Sequence, residues 1–485
     1  MTILEGIVLA GMLIIAGLGF MGRRHPNVDV TDWAVGGRAF GVLTTWLLQA
    51  GETFTTFTFL GTAGLVVAGG AGVFYSVPYV PLGYLALYFI APVIWRRARA
   101  RGHVTQADFL EESYQSRTLG VVAAVAGVVF LLPYLQLQIT GLGLIVQLVT
   151  GDAASKTWSM VVGFLLVVAF VLWSGIRGVA ATAYLKDILM LVVLLIICVG
   201  IPIHFTGGFT NVFHVIQRQA PEMLSVHGTG EFGIPWYISN MAISMIGVMF
   251  LTLPHMWPAI LAARSSTVLR RNYLWLPIYN TFIVLPLVVG FVAFVVLGSD
   301  TDPDAALLQL AGQMFPEWFM GVVAVAGIAT AMVPSAGLLI GMSTLVSRNI
   351  IRTGSGRQQL TITRLTVLVA SFFSLLLALL MPNLLANLLL LTFSGLDQLA
   401  PAIALALFLP GRIDVRSVIS GLVAGLAVVI ALTFWLTSPW AISVGIIGLA
   451  INLAVVALVQ AGLRLGSRRD LGLATAAEVA SPPVA

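Results

Sequence analysis

Apolar residues in this chain fall in long unbroken blocks, with neither the strict alternation of a half-buried strand nor the narrow stripe of a surface helix. The blocks cover residues 3–22, 40–68, 73–95, 118–149, 157–176, 179–205, 234–253, 274–298, 318–347, 363–382, 384–410, 414–437 and 440–461. A hydrocarbon layer of about 30 Å takes about 20 helical residues, so each block is long enough to cross it. The pattern therefore predicts an all-α integral membrane protein with about 13 transmembrane helices. The first block has Glu5 in front, Arg23-Arg24 behind and no small-residue cleavage site, so it reads as a retained span. Between blocks the chain is short and polar. The stretches 207–233 and 299–317 carry Pro, Gly and acidic residues and predict short surface helices, while the Ala/Pro-rich tail 465–485 is expected to be disordered. One polytopic domain, 1–464, thus accounts for the rest of the sequence.

Composition agrees and narrows the function. Charged residues make up 9% of the 485 and hydrophobic ones 59%, against about 25% charged in soluble domains. The +5 net charge invites a nucleic-acid reading, but the basic residues are scattered between apolar blocks and form no aromatic-interleaved basic domain. Their placement instead sets topology. An odd span number puts the termini on opposite sides; with the N-terminus outside, 21 of the 24 Lys and Arg fall on the cytoplasmic side, Lys156 and Arg218 fall outside and Lys186 lies within a span. The run Arg96-Arg97-Ala98-Arg99-Ala100-Arg101 is the clearest inner anchor and meets anionic lipid. Cys198 is the single cysteine, which excludes an intrachain disulfide and a CxxC redox pair. No nucleotide-binding glycine loop, HExxH motif or nucleophile constellation is present, so neither an ATP-driven pump nor an enzyme is expected, and no cofactor. No obligatory protein partner is evident; the expected partners are the bilayer and a small organic solute.

The remaining information lies in polar residues at bilayer depth, which are costly and usually face a protein-lined interior. In 40–68, Ala50-Gly51-Glu52 interrupts the span and Thr53, Thr55, Thr56 and Thr58 follow. Gly51 can loosen the helix there, and a half-helix starting near Thr53 presents a positive dipole end to an anion. The plain alternative is a tolerated kink with Glu52 hydrogen-bonded to a neighbouring helix. Lys186 and Asp187 sit about eight residues, or roughly 12 Å, into 179–205. Asp397, in Gly395-Leu396-Asp397-Gln398, marks another polar break of unassigned role.

Five stretches carry a resemblance. Gly36-Gly37-Arg38-Ala39-Phe40, Ala50 to Gly61 (AGETFTTFTFLG) and Val104-Thr105-Gln106-Ala107-Asp108-Phe109-Leu110 follow one another as in the sodium:solute symporter family. Gly178 to Asp187 (GVAATAYLKD) and Ala331 to Ile350 (AMVPSAGLLIGMSTLVSRNI) resemble the family's approach to the sixth span and its ninth-span motif. Within the family the chain looks most like a bacterial branch that includes monocarboxylate permease-like proteins. The resemblance implies a bacterial cytoplasmic-membrane symporter with a LeuT-type architecture of two inverted five-span repeats, 40–205 and 234–410, with span 3–22 before them and 414–461 after. It also implies a site between helices broken at the midplane, alternating access, and a matching break in the seventh span around Gly247.

The resemblance further implies a sodium ion held by the carbonyls of Gly51, Phe54 and Thr330 and by two adjacent hydroxyls. Those hydroxyl positions fall on Val333 and Pro334, which offer a hard cation no side-chain oxygen. The usual site looks dismantled, although Thr330 and Ser335 leave room for a rebuilt one, so the coupling ion is H+ or Na+. Lys186, near the ion's depth, can supply the positive charge and exchange a proton as a switch, with Asp187 or Glu52 as counter-charge. Against this stand a fixed Lys186–Asp187 pair and a lysine snorkelling to the surface; adjacent residues point about 100° apart, which weakens the pair. For the solute, Glu52, Thr53, Thr56, Thr58, Gln136, Gln138, Trp236, Tyr237 and Asn240 are candidate contacts, each with interhelical hydrogen bonding as the alternative. Such a pocket suits a short monocarboxylate better than a sugar; an amino acid or other small organic acid carried with sodium is the second reading, and a non-transporting sensor the alternative class.

Overall fold

A backbone in lipid must satisfy its own polar groups, so long apolar blocks fold as helices. The computed structural model describes residues 3–22, 29–228, 230–298, 302–352, 356–381, 385–436 and 438–479, and among them helices are joined by short turns with no β-strand. The first block forms α1 (Ile3–Met21). The second is split into α2 (Val42–Thr53) and α3 (Thr62–Gly69), separated by unwound residues and a π-helical turn. Then follow α4 (Tyr79–Arg101), α5 (Gln106–Tyr114), α6 (Arg117–Thr150), α7 (Ala153–Ser174) and α8 (Ile176–Thr206). The second half runs α9 (Ile234–Met249), α10 (Met256–Leu261), α11 (Ser266–Asn280), α12 (Val284–Leu297), α13 (Glu317–Leu345) and α14 (Gly356–Leu380). It ends with α15 (Leu385–Leu396), α16 (Ala400–Phe408), α17 (Val415–Phe434) and α18 (Val444–Val479). Short helices at Phe209–Gln219 and Ala306–Met314 occupy the two long loops.

Among the described residues, eleven helices are long and apolar enough to cross a membrane. The two expected spans without such a helix of their own, 40–68 and 234–253, are the two that are interrupted. Helix α18 continues through the tail expected to be disordered as far as Val479, and residues 480–485 lie outside the described residues.

Burial separates centre from rim. The apolar window of Glu317–Ile350 is 94% buried inside the protein, against 33% for α1, α14 and α17 and 28% for Val444–Leu465. Helix α13 is therefore the axial element, packed on α1, α6, α8 and α14. The rim helices present Phe372, Phe373 and Leu380 outward, as lipid-facing positions should.

Residues expected on one face meet there. A Thr105–Asp108 capping box starts α5, and Asp108 also accepts from Arg348 Nε at 2.5 Å and Asn349 Nδ2 at 2.9 Å at the end of α13. Arg97 pairs with Glu112, and Arg352 with Glu111. At the same end, Phe40 N donates to Ala262 O and Arg264 N to Phe40 O, a single parallel bridge joining the start of α2 to the end of α10.

Candidate functional site

The break in the second span falls later than the sequence suggests. Helix α2 runs unbroken through Ala50, Gly51 and Glu52 to Thr53; its last rung is Phe54 N to Ala50 O at 3.0 Å, and Phe54 is extended at φ −91°, ψ 96°. The second half begins near Phe57, not Thr53. A run of threonines explains the shift, because their hydroxyls compete for backbone carbonyls. Thr53 Oγ1 bonds Gln49 O, and Thr58 Oγ1 reaches Thr53 O. The exposed N-terminus of the second half is closed by Gln138, whose Oε1 accepts from Thr56 Oγ1 at 2.7 Å and from Thr56 N at 3.4 Å.

The carbonyls freed by the break are taken by Lys186. Its Nζ donates to Gly51 O at 3.0 Å, to Phe54 O at 2.5 Å and to Asp187 Oδ1 at 2.9 Å. These are two of the three carbonyls that the resemblance assigned to the ion. The lysine is fully buried, so it does not snorkel. The pair that the 100° offset was expected to weaken does form: the long lysine stem swings its ammonium back to Asp187, whose carboxylate lies against Gly51. An ammonium has three donors, and all three are used. Across from it Val333 and Pro334 are buried on α13, while Thr330 Oγ1 and Ser335 Oγ bond Gly327 O and Ala331 O of their own helix.

The second break is displaced in the same direction. Gly247, its expected centre, stays helical; α9 ends at Met249 and residues 250–255 unwind. Leu251 adopts φ +52°, a left-handed conformation that a branched side chain rarely takes, so the turn is held by its surroundings. Leu251 O accepts from Gln106 Nε2 at 2.8 Å and Trp257 Nε1 at 2.7 Å, and Thr252 N donates to Gly247 O at 3.0 Å. Asp397, fully buried, accepts from Thr252 Oγ1 and lies so close to Gly247 that a Cβ there would strike its carboxylate.

Between the two breaks lies a cavity of about 50 Å³, walled by residues that include Glu52, Thr53, Thr58, Tyr84, His255 and Asn280. At 10–15 Å³ per water, it has room for about four waters. Of the predicted solute contacts, Glu52, Thr53 and Thr58 line it. The others are elsewhere. Thr56 is turned to Gln138, and Gln136 Nε2 ties α6 to α14 through Met381 O at 2.7 Å. Trp236 and Asn240 border a separate recess with Ser443, and Tyr237 packs edge-on to Tyr75. Sequence reasoning missed Tyr79, Tyr84, Tyr134, His255 and Asn280, all of which face the cavity. The available signal for His255 was its place after Thr252-Leu253-Pro254, a helix-ending run at the edge of an apolar block.

His255 Nε2 lies 3.7 Å from Glu52 Oε2, both side chains being almost wholly buried. The histidine ring also meets the edge of Tyr134, centroids 5.4 Å apart. Glu52 rests against α13 at Gly337, where a Cβ would collide with the carboxylate. The arrangement can bind a small polar solute beside a carboxyl group, and among the described residues no group of three or more His, Cys, Asp or Glu could hold a metal ion.

Comparison with known proteins agrees with the fold. The sodium:solute symporter family model matches residues 33–425. YhjB, an uncharacterised symporter of Bacillus subtilis (strain 168), is 32% identical over 472 residues, covering 94% of this chain and 96% of the relative. A monocarboxylate transport permease protein of Rhizobium johnstonii is 28% identical over 72% of each chain. Among solved structures, a Na+-coupled sialic acid symporter in a substrate-bound outward-open state superposes with a TM-score of 0.75 at 16% identity, over 94% of this chain and 98% of that one.

Proposed function

This chain belongs to the sodium:solute symporter family, and from that premise we propose that it imports a short monocarboxylate through a bacterial cytoplasmic membrane by sodium-independent, proton-linked symport. Its place as an integral membrane transporter of a small organic solute, and not an enzyme, follows from the family itself. The finer reading is carried by one observation: the Lys186 ammonium is bonded to the Gly51 and Phe54 carbonyls. A fixed ammonium there supplies the positive charge that links the broken second span to α8, so no sodium ion is required for that link. Thr330 and Ser335 donate their hydroxyl protons within α13, and Val333 and Pro334 between them offer a cation no side-chain oxygen.

The solute class follows from size, polarity and kinship. A cavity with room for about four waters suits a solute of a few heavy atoms, and the Asn280 amide, whose Nδ2 has no partner among the described residues, can donate to a carboxylate. A relative named as a monocarboxylate transport permease supports the same class. Clustering of Arg97, Arg99, Arg348 and Arg352 at one end supports an inside-facing basic surface, with the N-terminus outside and the C-terminus in the cytoplasm.

The test is uptake of labelled pyruvate, lactate and acetate by reconstituted protein with sodium and proton gradients imposed separately. Uptake should be unchanged when potassium replaces sodium and should rise with an inward proton gradient. Strict dependence on sodium would refute the proposal.

A further inference from the structure

The lysine with all its donors satisfied is poorly placed to carry a travelling proton, and a different pair faces the cavity with capacity to spare. Glu52 Oε2 and His255 Nδ1 have no hydrogen-bond partner among the described residues, although both side chains are buried. Their other approach is to each other, Nε2 to Oε2 at 3.7 Å. The two groups come from opposite repeats: Glu52 closes the last turn of α2 before the first break, and His255 ends the second break before α10. We propose that Glu52 and His255 are the proton-carrying pair of this transporter, holding one proton between them in the empty cavity and taking up a second when a monocarboxylate enters.

Charge balance drives the step. Lys186 and Asp187 are in contact and cancel. Glu52 and His255 with one proton also cancel, whichever of the two holds it. Around them, Tyr79 and Tyr84 of α4 and Tyr134 of α6 line the same cavity, Lys186 and Asp187 of α8 contact the neighbouring Gly51, and α13 presents Gly337, Ile340 and Gly341, none of them titratable. Asp397 lies behind Gly247, held by Thr252. An incoming carboxylate therefore adds an unmatched negative charge beside a carboxyl group, and two carboxyl groups sharing a buried site do not both stay ionised. One proton taken from the side of entry restores neutrality. It leaves with the anion on the other side, and the pair keeps its original proton. Each cycle then moves one anion and one proton, and the loaded centre carries no net charge between the two faces.

This inference rests on the monocarboxylate reading, and the experiment separates the two. Pyruvate serves as the probe, because it is a strong acid whose neutral form is scarce and crosses protein-free liposomes slowly. Detergent-solubilised wild type should take up about one proton per pyruvate bound, read with a pH dye in weak buffer. In proteoliposomes with an inward gradient of one pH unit it should accumulate pyruvate up to about tenfold. Glu52→Gln and His255→Asn should each bring that accumulation ratio to about one, whatever their residual rate, because the ratio reports coupling and not speed. Variants that accumulate pyruvate as wild type does, or wild-type binding without proton uptake, would overturn the pair's role and leave the symport proposal standing. Wild type that neither binds nor accumulates pyruvate, lactate or acetate would overturn both.

Discussion

Lys186 and Asp187 form a buried ion pair whose members cannot be removed independently. Their side chains are 0% and 2% exposed, and the lysine also holds two backbone carbonyls. Removing one partner of a buried pair leaves an uncompensated charge, at a cost of about 3–5 kcal/mol, while replacing both by apolar groups is often near neutral. Lys186→Met should therefore lower thermal stability in detergent by that amount, and Lys186→Met with Asp187→Leu should lose clearly less. A double variant as unstable as the single would mean that the carbonyl contacts, and not Asp187, hold the lysine. At this scale the sequence was informative about charge and blind to partners. A lysine at bilayer depth stands out in any apolar block, so Lys186, Asp187 and Glu52 were legible. His255 was not, because hydropathy put it just past the end of a span, where a histidine needs no explanation. Gln136 and Gln138 read alike, yet one ties α6 to α14 and the other closes the second break-facing helix.

At the level of elements, both interrupted spans were found and both breaks were placed several residues early. Glycine was the misleading signal. Gly247 is small because Asp397 lies against it, whereas a Cβ at Gly51 would meet Asp187 only at ordinary contact distance, and both glycines remain helical. The unwinding is set instead by threonines that cap and compete and, in the seventh span, by Pro254, none of which alters hydropathy. The second half of the interrupted span depends on a side chain from α6, since Gln138 accepts both donors of Thr56. Gln138→Leu should cost about 1–2 kcal/mol by the usual worth of a helix cap, whereas Gln138→Glu, which keeps the acceptor, should restore the bond at the expense of a buried charge. Thermal unfolding of the two variants beside wild type measures the difference, and a neutral Gln138→Leu would show that the half-helix needs no cap.

Across the whole molecule, the sequence revealed the architecture more fully than the site. Span order, the basic face and the all-helical class are written in block length and charge placement, because lipid imposes both. The lining of the cavity is written in three-dimensional packing and is not. One long-range contact outside the spans carries a pH dependence. Asp304, in the loop before α13, accepts from Leu385 N at the start of α15 at 3.2 Å. Burial pushes its carboxyl up to about 6, the Leu385 hydrogen bond opposes the shift and neighbouring Asp302 adds to it. The folded state thus prefers the protonated acid. Its contribution to stability is full below the ordinary value of 3.8, shrinks as pH rises and is lost above about 6. Asp304→Asn keeps an acceptor without a charge, so relative to wild type it should grow more stable between about pH 4 and 7. A difference in melting temperature that does not change with pH would disprove the assignment.

The bridge between Phe40 and Ala263 has a mechanical consequence. Two backbone bonds stitch α2 and the six-residue α10 into one lever. In a cycle of alternating access that lever would tilt as a unit, pivoting where each span has come undone. Severing the stitch would let the halves swing separately, and a molecule with two loose doors leaks.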